Sequence, residues 1–272
     1  MRVLVLGTSG KTGRALTRAL VRRGARVRAL VRPGSPHEEV CRAAGADQVA
    51  GGDLESGAGL DVACAGVEAV YHLAPNVHPD EVGMARRVVE AASAAGITRF
   101  GFHSVLHPDD ATMPHHVRKH LAEQVIREVM PTAVVLRPAA YLENLLPMVR
   151  AGELVVPYSL DVPFTNVALD DVAEVAARVL TEAGHAGGIY ELVGPETLTT
   201  RHLAEQAGVP ARQISIAEWD AGPGATLSDQ TRADLVAMFA SYDAAGFTGD
   251  SADLGRLLGR PPTRWSDLLR RR

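Results

Sequence analysis

Cysteine is scarce in this sequence, which contains only Cys41 and Cys64 among its 272 residues. Two cysteines without a secretory pattern around them do not form a disulfide framework, so we expect free thiols in the reducing cytoplasm. The sequence also lacks an apolar stretch long enough to span a membrane, so we expect no membrane partner. Its first apolar run is interrupted by Gly7, which indicates a strand and not a signal peptide.

An excess of positive charge is missing as well. The 28 Lys and Arg residues stand against 32 Asp and Glu residues, which gives a formal net charge of −4. Proteins that bind the phosphate backbone of nucleic acids are usually basic, so we expect no nucleic-acid partner. Apolar residues make up 46% of the chain, which is enough for the core of one large α/β domain, with or without a small appendage.

A glycine-rich turn stands between the first predicted strand and the first predicted helix. The apolar run 3–6 is followed by Gly7, Gly10 and Gly13 in the spacing G-x-x-G-x-x-G. Gly7 allows a sharp turn, Gly10 allows the backbone to approach a pyrophosphate, and Gly13 allows the helix to pack closely on the sheet. The start of the helix then offers free N–H groups to the phosphates, so the sequence predicts a dinucleotide site.

Two other interpretations of this turn stay open. Gly10-Lys11-Thr12 matches the end of a P-loop, but Val5 stands where that motif needs its first glycine, and a loop from Gly7 is too short to wrap a triphosphate. The turn could also be a glycine turn without a ligand. The strand before it and the helix after it favour the dinucleotide site over both.

Predicted strands and helices alternate along the chain. Strands are predicted over 25–31, 48–50, 67–73, 97–103, 133–136 and 188–193, and helices over 14–23, 40–44, 82–95, 114–129 and 170–182. This alternation requires right-handed crossovers, so we predict an α/β fold with a doubly wound parallel sheet. The alternation loosens in two segments, the turn-rich 144–165 and the region from Thr199 on, where short helices dominate. These segments remain as material for a small, mostly helical lobe that would bind the substrate. The expected division is a nucleotide domain over 1–145, completed by about 167–195, and a substrate lobe over 146–166 and 196–272.

The ends of three strands carry candidate cofactor residues. Arg32 follows the second strand, where an acidic residue would suit NAD and an arginine suits the 2′-phosphate of NADP; the alternative is an ordinary surface arginine. Asp53-Leu54 follows the third strand, where the adenine should lie. Ala74-Pro75-Asn76 ends the fourth strand, where the backbone should meet the nicotinamide side. Each segment could equally be ordinary turn chemistry.

The predicted helix 114–129 has one apolar stripe, formed by Val117, Leu121, Ala122, Val125, Ile126 and Val129. His115 and Lys119 are four residues apart and lie at the shoulder of this stripe, where a side chain can reach into a cleft. We expect four polar residues on the opposite face: His116, His120, Glu123 and Arg127.

Four histidines raise the question of a metal or a substrate contact. His116 and His120 have the spacing of a metal pair, but the zincin glutamate and an acidic third ligand are missing, so we expect no metal. His103 and His107 flank Ser104 at the end of the fifth strand, beside the expected nicotinamide. The Ser104 hydroxyl could bind a substrate oxygen or could satisfy the backbone at the strand end.

Several segments together resemble the NmrA-like atypical short-chain dehydrogenases, and the resemblance covers almost the whole chain. The segments are 7–13, Arg32, His103-Ser104-Val105-Leu106-His107-Pro108, the His115/Lys119 pair, Arg137-Pro138-Ala139-Ala140-Tyr141-Leu142-Glu143-Asn144, Asp170-Asp171-Val172-Ala173 and Gly259-Arg260-Pro261-Pro262. The resemblance implies a Rossmann-type domain that binds NADP(H) in preference to NAD(H). It also implies a small C-terminal lobe.

Matching positions imply a role for individual residues. The pyrophosphate would lie on Gly7, Thr8, Ser9, Gly10, Lys11, Thr12 and Gly13. Arg32 would bind the 2′-phosphate and Lys119 the ribose hydroxyls. The candidate catalytic residues are His115, Lys119, Ser104 and Tyr141. Members of the family include reductases of quinones, azo dyes or conjugated carbonyls, and other members sense redox state by binding the cofactor without turnover.

One departure from the typical Tyr-x-x-x-Lys pattern affects the function. His115 occupies the tyrosine position; with an ordinary pKa of about 6.5 it could donate a proton near neutrality, or it could only hydrogen-bond the substrate. The missing tyrosine counts against ordinary interconversion of alcohols and ketones. We therefore predict an oxidoreductase that passes a hydride from NADPH to a quinone or similar conjugated acceptor, with a small-molecule substrate and with a homodimer left open. The alternatives are a non-catalytic redox sensor and a tailoring reductase or isomerase of specialised metabolism.

Overall fold

A seven-stranded parallel sheet forms the centre of the protein. We describe a computed structural model covering residues 1–271; Arg272, the last residue of the expected substrate lobe, lies outside the described residues. The strands, numbered in chain order, are β1 (Arg2–Val5), β2 (Arg26–Val31), β3 (Gln48–Gly51), β4 (Ala69–His72), β5 (Arg99–His103), β6 (Val134–Pro138) and β9 (Ile189–Leu192). Their spatial order is β3-β2-β1-β4-β5-β6-β9. The order reverses between β1 and β4, which leaves a crevice at their carboxyl ends and confirms the Rossmann-type fold.

Helices cover both faces of this sheet, and each face has its own core. The helices are α1 (Lys11–Arg22), α2 (Glu38–Ala43), α3 (Leu60–Cys64), α4 (Glu81–Ala94), α5 (Pro114–Val129) and α7 (Leu169–Thr181). Val3, Val5 and Tyr71 point into the core beneath α1 and α7, whereas Leu4 and Val70 point into the core beneath α4 and α5. Successive strand residues thus alternate between two buried faces, as expected for a parallel sheet. The short helix α3 was not predicted.

The remaining elements, with the exception of α11 (Ala252–Leu258), build the lobe above the carboxyl edge of the sheet. After a single 3₁₀ turn at Leu142–Asn144, they are α6 (Leu146–Arg150), β7 (Leu154–Val156), β8 (Pro163–Phe164), β10 (Leu198–Thr199), α8 (Thr200–Ala207), β11 (Ala211–Gln213), α9 (Ile216–Ala221), α10 (Asp229–Ala245), α11 (Ala252–Leu258) and α12 (Trp265–Arg270). Strand β7 pairs with β11 and β8 with β10. The fully buried Trp265 anchors a third core, where its indole N–H donates to the carbonyl of Leu203 at 2.9 Å. Helix α11 instead packs on α7 and β9.

Helix α5 differs from the sequence prediction in the face that it buries. His116 and Glu123, predicted on the polar face, are 1% and 3% exposed, whereas Leu121 of the predicted apolar stripe is 43% exposed. That prediction was wrong because other elements supply polar partners. Arg137 pairs with Glu123, and the carbonyl of His107 lies 3.1 Å from the His116 ring. Polar groups with such partners can be buried at little cost.

No helix within residues 1–271 combines the length and the apolar character needed to cross a membrane.

Candidate active site

The glycine turn folds into a tight loop at the carboxyl end of β1. Gly7 adopts a φ of +71°, and a Cβ on it would lie 2.6 Å from the carbonyl oxygen of Leu73. A Cβ on Gly13 would lie 2.2 Å from the carbonyl oxygen of Gly7, which explains why these two positions lack side chains. A Cβ on Gly10 would lie 3.4 Å from the carbonyl oxygen of Gly7, an ordinary contact, so the surrounding loop does not exclude a side chain at this position. Within the described residues no side chain caps the start of α1, and its first amide groups remain available to an anion.

A large cleft begins at this loop and follows the carboxyl edge of the sheet into the lobe. Its volume is about 1080 Å³, which is sufficient for a dinucleotide and a second ligand. Most predicted site residues line it: Gly7, Ser9, Gly10, Lys11, Thr12, Leu54, Ala74, Pro75, Asn76, Ser104, His115, Lys119 and Tyr141. The residues that were chosen from the sequence because they follow strands or lie on α5 therefore line one cleft.

Four predicted cofactor residues do not line the cleft. Thr8 is buried and donates to the carbonyl of Val5 at 2.7 Å, and Gly13 is enclosed by the loop. Arg32 is exposed. The Asp53 carboxylate accepts hydrogen bonds from the backbone amides of Glu55 and Ser56. The bond from the Ser56 amide makes the largest contribution to lowering the pKa of Asp53, and the bond from Glu55 and the charge of Arg32 act in the same direction. Asp53 therefore holds a local turn, which matches the alternative that its sequence left open.

Lys119 is held in place at the floor of the cleft. Its Nζ donates to Glu81 Oε1 at 2.8 Å and to the carbonyl of His103 at 3.1 Å. The same ammonium lies 5.2 Å from the centre of the Phe102 ring, within cation–π distance. Glu81 is itself buried, so this ion pair has a fixed geometry and orients Lys119. The sequence did not predict Glu81 as the partner of Lys119, because 38 residues separate the two.

Lys11 joins the glycine loop to the start of the lobe. Its ammonium donates to the Asn144 side-chain oxygen and lies 5.5 Å from the centre of the Tyr141 ring. Burial lowers the pKa of Lys11, and the charge of Glu143 opposes this shift. A phosphate at the loop would therefore have a positive charge beside it.

His115 lies on the cleft wall and is neutral at pH 7. Burial lowers its pKa to about 3, and the charges of His116, Arg118 and Lys119 act in the same direction. Its buried Nδ1 has no hydrogen-bond partner among residues 1–271. The ordinary pKa used in the sequence argument does not apply here, so His115 can offer or accept a hydrogen bond but does not serve as a cationic acid.

Ser104 belongs to a buried polar network behind the cleft. Its hydroxyl donates to Glu123, which also accepts two bonds from the Arg137 guanidinium, at 2.6 and 3.0 Å. The hydroxyl proton is thus already engaged, and only the oxygen lone pairs of Ser104 remain for a ligand.

Tyr141 reaches the cleft from the loop after β6. Its Oη lies 2.9 Å from His103 Nε2. Burial raises the pKa of Tyr141 above its ordinary value, so the phenol remains protonated at pH 7.

The other end of the cleft is apolar and aromatic, a feature that sequence reasoning did not find. Its lining includes Met148, Tyr158, Trp219, Leu235, Met238, Phe239, Tyr242 and Phe247. These residues come from widely separated elements and follow no single motif, so no local signal could have assembled them. Arg118 on α5 pairs there with the buried Asp234 on α10 and joins the sheet domain to the lobe.

Val77 marks backbone strain at the cleft wall. This buried, β-branched residue has a φ of +54°, a conformation that L side chains rarely adopt. It directly follows Ala74-Pro75-Asn76, so the strain lies where the nicotinamide side was predicted. No sequence signal identifies such a residue, because valine disfavours this conformation.

Metal ligands do not converge anywhere in the part of the chain that the structure describes. The His120 ring instead lies 2.9 Å from the Gln124 amide, one turn away on α5.

Comparison with known proteins agrees with this architecture. The model of the NmrA-like family matches residues 1–246. The chain belongs to the NmrA-like family. An NAD(P)H azoreductase of Xenophilus azovorans is 30% identical over 79% of this chain and 77% of its own length. Quinone oxidoreductase 2 of Escherichia coli is 27% identical over 96% of this chain and 95% of its own.

A solved structure extends the similarity to three dimensions. The NADPH complex of an Escherichia coli NADPH-dependent quinone oxidoreductase superposes with a TM-score of 0.84 at 25% identity, covering 99% of both chains. The NmrA-like family and the Rossmann-type fold, both expected from the sequence, are thus confirmed.

Proposed function

We propose that this protein reduces a quinone or a similarly conjugated acceptor with a hydride that NADPH supplies. The observation that carries the proposal is that one continuous cleft runs from the glycine loop to its apolar, aromatic end in the lobe, which we call the aromatic wall. The amide groups at the start of α1 suit phosphates, and the aromatic wall suits a flat, apolar acceptor. The two ends of one cleft therefore match the two reactants.

The chain is an NAD(P)H-dependent oxidoreductase. Its relatives include the azoreductase and the quinone oxidoreductase named above, and the similar solved structure contains NADPH. The glycine loop fits this cofactor class because a side chain would fill the loop at Gly7 and Gly13 but not at Gly10.

NADP(H) is the preferred cofactor in this proposal. Arg32 lies at the end of β2, where a guanidinium can bind a 2′-phosphate with two hydrogen bonds. It is exposed and takes part in no salt bridge within the described residues, so a phosphate would not have to displace a partner. Lys119 would bind the ribose hydroxyls, since its ammonium is fixed at the floor of the cleft.

The cleft side chains suit an acceptor whose oxygen needs a hydrogen bond and not an obligatory acid. Tyr141 has a protonated hydroxyl at the cleft, and His115 is a neutral imidazole there. Either group can stabilise charge that develops on a substrate oxygen. Quinone, hydride and one proton together give the hydroquinone, and water can supply that proton, so the absence of the usual tyrosine at position 115 is tolerable.

Stopped-flow measurement of NADPH oxidation tests the proposal. The acceptor panel contains 1,4-benzoquinone, 1,4-naphthoquinone, an azo dye, a conjugated enone and a simple ketone. We expect turnover with the conjugated acceptors, fastest with the quinones, and none with the simple ketone. NADPH binding without turnover of any acceptor would contradict the proposal and favour the redox-sensor alternative.

A further inference from the structure

Three aromatic side chains form a hydrogen-bonded row that leads from the core to the cleft. The Oη of Tyr71 lies 2.7 Å from His103 Nδ1, and His103 Nε2 lies 2.9 Å from the Oη of Tyr141. Tyr71 is fully buried beneath the sheet edge, whereas Tyr141 lines the cleft. Each of the two ring nitrogens of His103 therefore has one tyrosine partner.

Gly101 makes this row possible. Gly101 on β5 is the register partner of Tyr71 on β4, and His103 follows two residues later on the same face. A Cβ on Gly101 would lie 2.7 Å from Cδ2 of the Tyr71 ring. Its φ is not positive, so the backbone does not require glycine here; the tyrosine ring that crosses this position does.

The protonation states leave one proton on the His103 ring. Burial lowers the pKa of His103 to about 3, and the nearby Lys119 charge lowers it further. Burial also keeps both tyrosines protonated by raising their pKa values. At neutral pH the row thus contains two phenols and a neutral imidazole, and only the direction of its hydrogen bonds remains to be decided.

The buried end of the row decides that direction. His103 Nδ1 is the only hydrogen-bond partner of the Tyr71 hydroxyl among residues 1–271. If Nδ1 carried the proton, the O–H of Tyr71 would be a buried donor without an acceptor. Such a donor costs enough to favour the opposite arrangement by about 5- to 150-fold.

We propose that Tyr71 is a positioning residue that donates to His103 Nδ1, so that His103 donates from Nε2 to Tyr141 and Tyr141 presents its own proton to the cleft. Without Tyr71, the Tyr141 hydroxyl can instead turn its proton toward His103. The Thr12 hydroxyl is also close to Tyr141, but Thr12 belongs to the loop that we expect to contact the cofactor. This inference rests on the proposed function for its effect on turnover, but not for the arrangement of protons.

Nitrogen-15 NMR of the histidine side chains, without cofactor at pH 7, reads that arrangement directly. His103 is assigned by the loss of its signals in His103→Gln. We expect the proton on Nε2 and an Nδ1 resonance typical of a nitrogen that accepts a hydrogen bond. In Tyr71→Phe the Nδ1 resonance should move to the position of a nitrogen without a donor. Tyr190→Phe is the matched control, because its hydroxyl lies 3.2 Å from His185 Nδ1 and outside the cleft lining.

A second variant keeps the Tyr71 hydroxyl but displaces its ring. Gly101→Ala should move the same His103 Nδ1 resonance, because the new Cβ would occupy the place of the ring. A proton on Nδ1 in the wild-type protein, or an unchanged Nδ1 resonance in both variants, would overturn the proposal. These readouts need no turnover, so they separate this inference from a failure of the proposed reductase activity.

Kinetics then measure the effect on the reaction. With NADPH and the best quinone, Tyr141→Phe should lower kcat by about 100-fold, as for the loss of one donor to a developing oxyanion. Tyr71→Phe should lower kcat by about 5-fold with an unchanged KM for NADPH. The double variant should be no slower than Tyr141→Phe alone, whereas multiplied effects would show that Tyr71 does not act through Tyr141.

Discussion

At the residue scale, the glycine loop has two kinds of glycine. Gly7 and Gly13 are required by the fold, because a side chain on either would collide with backbone atoms. A Cβ on Gly10 would make only an ordinary contact with the Gly7 carbonyl oxygen, so the fold does not require glycine here, and we propose that a ligand does. The spacing alone could identify the loop, but only the structure separates these roles.

Gly13→Ala and Gly10→Ala form a matched pair of substitutions in this loop. Gly13→Ala should lower the free energy of unfolding by about 1–3 kcal/mol, since the loop must move away from the new Cβ. Gly10→Ala should leave stability nearly unchanged but weaken NADPH binding at least 10-fold, because its Cβ faces the pyrophosphate site. Urea unfolding and calorimetry measure the two effects. Equal loss of stability in both variants would contradict the assignment.

Arg32 determines the cofactor preference in our account. Arg32→Ala should weaken NADPH binding by about 10- to 100-fold, the usual contribution of a charge-assisted pair of hydrogen bonds to phosphate. NADH, which lacks the 2′-phosphate, serves as the control ligand and should bind with unchanged affinity. Fluorescence titration with both nucleotides checks this expectation, and an equal loss for both would refute the phosphate role of Arg32.

At the element scale, helix α5 shows what periodicity can and cannot predict. Its limits were predicted correctly, because Pro114 suits a first helical turn and Pro131 prevents extension. The buried face of the helix was not predicted correctly, because by hydrophobicity alone Glu123 and His116 are expected at the surface. Their burial depends on Arg137 and His107, which lie on other elements and leave no trace in the pattern of the helix.

The Arg118–Asp234 pair attaches α10 of the lobe to α5. Asp234 is 1% exposed, so Asp234→Ala would leave the largely buried Arg118 charge without its partner. We expect a loss of about 3 kcal/mol in the free energy of unfolding. The exposed pair Arg256–Asp253 provides the control, where Asp253→Ala should cost less than about 1 kcal/mol. Similar losses in the two variants, measured by urea unfolding, would argue against a link between α5 and α10.

At the scale of the whole molecule, the sequence allowed the sheet, the glycine loop at one end of the cleft and the family to be predicted. Each depends on local signals, such as the strand–glycine–helix order at 3–13. The aromatic wall and the Tyr71–His103–Tyr141 row could not be predicted, because they join residues that lie far apart in the chain, from β4 to Phe247. The same long-range packing buries His72, whose two ring nitrogens have no hydrogen-bond partner in the described part of the chain.

His72 and His103 should make the stability of the whole protein depend on pH. Burial, with a smaller effect from Lys119, lowers both pKa values to about 3. The unfolded chain takes up these protons below about pH 6.5 and the folded protein does not, so stability is complete above that pH and falls between 6.5 and 3. From pH 7 to 5 each histidine should remove about 2 kcal/mol.

Urea unfolding at pH 7 and pH 5 measures this dependence. His72→Leu should reduce the difference between the two pH values by about 2 kcal/mol, because one buried histidine no longer titrates. The surface substitution His37→Gln is the control and should preserve the difference. A wild-type protein equally stable at both pH values would be inconsistent with neutral, buried histidines.

The central claim is that the loop from Gly7 to Gly13 holds the pyrophosphate of a nicotinamide dinucleotide. Isothermal titration calorimetry of the wild-type protein with NADPH, and with NADH for comparison, tests it most directly. We predict one site per chain with micromolar affinity for NADPH and weaker binding of NADH. The absence of binding heat for either nucleotide at millimolar concentration would contradict the claim and the chemistry built on it.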